Sequence, residues 1–123
     1  MAANDLQVIL KAKQLAAHTM KITSNCNHYP KKYRFSLVDK MQIKALNIYE
    51  SLLEANRTDI KCYKRDRSEL QTRAITCCDE LLFYIELSNE LNLISGSSME
   101  YWSKMVCDIK HMTLAWRSKD KER

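Results

Sequence analysis

Apolar residues recur along this chain at spacings of three and four, in four separate runs. The first run joins Leu6, Ile9, Leu10, Ala16, Ala17 and Met20, with Lys13 as its one interruption. Asn4 with Gln7 resembles a capping pair, so a helix is predicted over about residues 5 to 26. "SNCNHYPKKYRF" then breaks the pattern, because its proline disfavours helical geometry at Tyr29. Leu37, Val38, Met41, Ala45, Ile48, Tyr49 and Leu52 fall within about 120° on a helical wheel, which predicts a second helix over about 37 to 55, capped by Ser36 with Asp39. "ANRTD" stops it and starts a third, over about 59 to 93, with a core line of Tyr63, Leu70, Ala74, Cys77, Leu81, Tyr84, Ser88 and Leu91. Gly96 ends that helix, and Ser97 with Glu100 caps a fourth, over about 98 to 118, whose face carries Met99, Trp102, Met105, Val106, Ile109, Met112, Thr113 and Trp116. The remaining "RSKDKER", residues 117 to 123, reads as a frayed charged tail.

Not every apolar residue fits inside such a bundle. In "LLFYIEL", residues 81 to 87, Leu81, Tyr84 and Ile85 point one way, whereas Leu82, Phe83 and Leu87 point elsewhere. On the second helix Ile43, Leu46 and Leu53 likewise lie outside the core stripe. An exposed apolar strip of this kind invites association. These six residues are therefore the expected contact between copies of the chain, and head-to-tail contacts close into rings when their rotation permits.

Composition narrows the fold. One glycine and one proline in 123 residues are too few for the turns of a sheet protein, and the length suits one domain. The expected architecture is all-α, an up-down-up-down four-helix bundle formed by residues 1 to 123. At up to about 35 residues the third helix would reach about 50 Å and overhang its neighbours unless it bends or begins later. No apolar run approaches the roughly 20 residues that cross a bilayer, and no leader pattern opens the sequence, so no membrane association and a cytoplasmic location are expected.

Candidate chemistry is sparse. Five cysteines in irregular spacing suit reduced thiols, and Cys26 with His28 or the adjacent Cys77 and Cys78 match no zinc pattern. His18, His28 and His111 are scattered, no glycine-rich phosphate loop exists, and inward Glu-x-x-His motifs are absent. Trp102 and Trp116 suit packing, with Met41, Met99, Met105 and Met112 as gap-fillers. No catalytic residue, metal or cofactor is expected, and the chain reads as a non-enzyme.

Charge is segregated. Residues 1 to 75 carry 14 Lys and Arg against 7 Asp and Glu, residues 76 to 100 carry none against 5, and the rest carry 6 against 3, for a net +5. One cluster, Arg57, Lys61, Lys64, Arg65 and Arg67 with Arg73 beyond it, surrounds the start of the third helix. Another is Lys31, Lys32 and Arg34 in the first connection, and Arg117 begins a third. In an up-down bundle the Arg57 cluster shares an end with both termini. Grouped cations of this kind release counterions when they neutralise phosphates, so these ten residues are the candidate contacts for RNA or DNA, through phosphates and with little base specificity. Acidic protein surfaces are the rival partner.

"YPKKYRFSLVDKMQIKALNIYESLLEANR" resembles the accessory variability determinants of diversity-generating retroelements, within the wider four-helix family that includes the ribosomal-RNA intervening-sequence proteins. Tyr29, Pro30 and Lys31 with Arg34 match the family's aromatic-Pro-Lys stretch, and Glu54, Ala55 and Asn56 its helix-ending Glu-Ala-Asn. "LQTRAITCCDELLFYIELSNELNLISGSSMEYW" is similar to its long third helix, and "DIKHMTLAWRS" to its closing tryptophan-basic pattern, so the likeness spans about residues 5 to 118. The stretch Asp108 to His111 departs from it, since the family commonly has a glycine there. The resemblance implies a barrel-like homopentamer that binds RNA or DNA and associates with a reverse transcriptase during mutagenic copying of a template RNA. The related intervening-sequence proteins imply the alternative, a ribosomal-RNA-associated or protein-interaction bundle without a retroelement role.

Overall fold

The computed structural model describes residues 3–123, with side chains described from Leu6 onward, so the Asn4 capping side chain lies outside the described ones. Four helices carry the fold: α1 (Ala3–Thr23), α2 (Asp39–Arg57), α3 (Lys64–Glu90) and α4 (Gly96–Lys121). Among the described residues there is no strand. Consecutive helices pack on one another, and α4 packs back on α1 to close the ring.

Every junction runs antiparallel. Along α3, Arg67, Thr72 and Asp79 bond in turn to Asp120, Arg117 and Lys110 of α4, so one numbering rises as the other falls. Lys44 and Met41 of α2 meet Glu80 and Ser88 of α3 in the same sense. Thr19 of α1 accepts from the Trp102 indole of α4 at 3.1 Å.

The α2 face is the expected one. Leu37, Met41, Ala45, Ile48 and Leu52 are buried, while Val38 and Tyr49 pack against them. On α4 the line Trp102, Val106, Ile109, Thr113 and Trp116 is likewise buried. The face of α1 is rotated from the expected one: Val8, Ala12, Leu15, Thr19 and Thr23 point inward, whereas Leu6 and Leu10 are more than half exposed. Two threonines can occupy the core because their hydroxyls are bonded. Thr23 donates to the Thr19 carbonyl at 2.6 Å and accepts from the Gln42 amide at 2.9 Å. Satisfied in this way, a buried hydroxyl loses little of what it gave up in water.

Helix boundaries differ from the periodicity at several places. Ahead of α2, a 3-10 turn (Lys31–Tyr33) runs into a π-turn (Arg34–Val38), so helical backbone begins before Ser36, and neither Ser36 nor Asp39 caps it. α3 begins at Lys64 because Asp59 builds a separate turn, accepting the Lys61 N–H on its carboxylate and the Tyr63 N–H on its carbonyl. Shortened to 27 residues, α3 matches the 26 of α4 and spans about 40 Å. At its far end Asn92 takes the left-handed conformation (φ 62°), and the Leu93 and Asn92 N–H groups return to the Ser88 and Asn89 carbonyls. Asparagine tolerates that geometry, so the helix stops before Gly96. The cap of α4 is Ser95, whose hydroxyl accepts the Ser98 N–H at 3.1 Å, and Gly96 is the first residue inside.

The stretch "LLFYIEL" fits a helix wedged between α2 and α4. Leu81 and Ile85 are fully buried, Leu82, Tyr84 and Leu87 pack against the same core from the flanks, and Phe83 is exposed.

Candidate nucleic-acid interface

The ten candidate cations separate into two groups at opposite ends of the bundle, because α2, about 28 Å long, stands between them.

The Arg57 end is more neutral than its sequence suggests. Arg67, expected as a surface contact, is buried: its guanidinium bonds Asp120 at 2.7 and 3.3 Å and lies 4.9 Å from the Trp116 ring. Gln71 donates to the same carboxylate at 2.8 Å. Arg67 is therefore out of reach of a polyanion, and the tail holding Asp120 is the docked last turn of α4 rather than a frayed end. Lys64 donates to the main-chain oxygens of Lys121 and Arg123, Arg65 pairs with Glu69 at 3.3 Å, and Arg117 donates to the Thr72 hydroxyl. Lys61 is exposed. Arg57 and Arg73 line a cleft of about 580 Å³, but Glu54, Asp59, Asp66 and Glu69 line it too. The Lys61 N–H bonded to Asp59 holds that carboxyl below its usual range, so it stays an anion.

The first connection is different. Pro30 has φ −59° and starts the 3-10 turn, with buried Tyr29 before it as the anchor. Burial pushes the Tyr29 phenol up, and its hydroxyl lies beside Ser88 without a well-formed hydrogen bond. Held by that anchor, Lys31, Lys32 and Arg34 are all exposed, and none of them makes an ion pair among the described residues. Lys32 places its ammonium 5.2 Å from the Tyr33 ring. Lys31 and Arg34 line a cleft of about 290 Å³ with Thr23, Ser24 and Gln42, and Asp39 is its one acidic residue.

Sequence reasoning passed over Phe35, which the π-turn leaves 79% exposed. Its signal was available in "KKYRF", where aromatic and basic residues alternate.

Of the six residues assigned to contacts between copies, Ile43, Leu46 and Phe83 are exposed and Leu53 is half-buried. Leu82 and Leu87 are engaged with the bundle's own core. The acidic segment is partly neutralised, since Asp79 pairs with Lys110 at 2.6 Å and Glu80 with Lys44 at 3.3 Å.

Burial pushes the Cys78 thiol up to about 12 and raises that of Cys77, which keeps both protonated and poor nucleophiles. His18 packs edge-on to Tyr101 and Trp102, and burial lowers its pKa. Among the described residues, no group of three His, Cys, Asp or Glu could hold a metal ion, and no helix is long and apolar enough to cross a membrane.

No protein-family model and no curated protein matches the chain. Among solved structures, the chain is similar to a protein of unknown function from the S23 ribosomal protein family of Bacteroides thetaiotaomicron, with a TM-score of 0.83 at 14% identity, over 94% of this chain and 98% of that one. A likeness at that identity is one of fold: a small helical bundle.

Proposed function

We propose that this chain is a non-catalytic, cytoplasmic accessory protein of a diversity-generating retroelement, which binds nucleic acid and acts beside a reverse transcriptase and its template RNA during mutagenic copying. The resemblance of the Tyr29–Arg34 and Glu54–Asn56 stretches supports the retroelement role. The observation that carries the binding reading is the exposure of Lys31, Lys32 and Arg34 together, with no carboxylate paired to them among the described residues. Several copies, associated through Ile43, Leu46 and Phe83 into a ring, five by resemblance, would repeat this basic end around the assembly and multiply weak phosphate contacts. Sedimentation with and without RNA tests the reading. It requires a species several times 14.5 kDa that shifts when RNA is added, and a lone 14.5 kDa species indifferent to RNA overturns it.

A second reading, a protein-interaction bundle, is favoured by Phe83 standing exposed among Glu86 and Glu90. Recovery of a protein partner after nuclease treatment, with no affinity for nucleic acid, would select it.

A further inference from the structure

From the first connection we infer that this protein binds unpaired RNA, with Phe35 as a stacking platform for a base and Lys31, Lys32 and Arg34 as the grip on the adjoining phosphates. The inference rests on the nucleic-acid reading above and specifies the form of the ligand.

A single exposed hydrophobic residue needs no explanation by itself. Phe35 differs in its setting. At 79% it is the most exposed large hydrophobic side chain among the described residues. It sits in a π-turn, a local widening of the helix that recurs at functional sites. That turn carries Leu37 into the core and leaves Phe35 and Ser36 outside, so the exposure follows from how the chain enters α2. Three cations that make no ion pair among the described residues lie within four residues of it, and Lys31 and Arg34 border the adjacent cleft.

Such a pairing of ring and cations matches an unpaired strand better than a duplex. Bases in a duplex are stacked on one another, and the deep, narrow major groove of A-form RNA admits no side chain that could reach them. In a single strand each base has a free face, and stacking on an aromatic ring tolerates any base identity. The cations alone would bind both forms.

The test is fluorescence anisotropy with a labelled oligouridine of about a dozen nucleotides, within the range such sites cover, and an RNA duplex of the same length. Expected is single-strand binding that weakens roughly ten-fold in Phe35→Ala, the loss of about one stacked base, with Phe35→Trp restoring it and duplex binding unmoved. Circular dichroism should match the wild type in both variants, since the ring is outside the core. If the wild type binds both forms and Phe35→Ala weakens them equally or neither, the stacking role is overturned while nucleic-acid binding stands. If the wild type binds neither form, both readings fall.

Discussion

Arg67 of α3 and Asp120 of α4 form a buried ion pair at 2.7 Å, with side chains 8% and 5% exposed, although the sequence sets both among charged neighbours. The pair ties the start of α3 to the last turn of α4. Its carboxylate also accepts from Gln71, and its guanidinium reaches the Thr58 carbonyl at 3.3 Å.

Removing one partner strands the other charge in the core. Arg67→Ala and Asp120→Ala should each lower the unfolding free energy by about 3–5 kcal/mol in urea titrations. The double variant should be less destabilised than the two singles together, with a coupling on the order of 1–3 kcal/mol. Additive losses would mean the pair is not formed in solution.

At the other end of α4, two serines compete for one role. Ser95→Ala should cost about 1 kcal/mol because its hydroxyl caps the Ser98 N–H, while Ser97→Ala should change stability by only a few tenths. Equal losses, or a larger loss at Ser97, would favour the cap expected from the sequence.

These two cases show what the sequence could and could not convey. The α2 stripe was legible because its apolar positions, from Leu37 to Leu52, coincide with the buried ones. On α1 the signal was misleading, since Leu6 and Leu10 face solvent while Thr19 and Thr23 sit in the core through hydrogen bonds that composition does not reveal. In the sequence Arg67 looks like a surface cation because its partner lies 53 positions away. The clue was helical register: Asp120 continues the inward line of Thr113 and Trp116, and Arg67 precedes Gln71 and Ala74 on the inward line of α3. In the first connection the cations were legible, but the π-turn that leaves Phe35 exposed was not.

Acid should weaken the fold through His18. Its pKa is lowered from the ordinary 6.5, chiefly by burial and further by Lys21, so the folded protein binds this proton less readily than the unfolded chain. No penalty arises above 6.5; it grows as pH falls through that value and levels off below the folded pKa. His18→Gln should flatten the decline in stability between about pH 7 and 5. An unchanged pH profile in that variant would contradict the packing of His18 against Trp102.

Thiol labelling reads the bundle's interior. Cys26 and Cys62 are exposed and should react with a maleimide in the native protein, whereas Cys77 and Cys78 should require denaturant. Asp59 raises the Cys62 thiol by hydrogen bond and charge, so Asp59→Asn should speed its labelling at neutral pH. Fast labelling of Cys78 in the native state would contradict the core described here.

The central claim, that Lys31, Lys32 and Arg34 hold a polyanion, is tested most directly by the salt dependence of RNA binding. For a single strand the slope of log affinity against log salt is about −0.7 per phosphate neutralised. Replacing all three with Glu should weaken binding at moderate salt and reduce that slope by about 2, whereas Arg65→Glu, at a position already paired with Glu69, should change both far less. An unaltered affinity and slope in the triple variant, with the helical signal intact, would contradict the account.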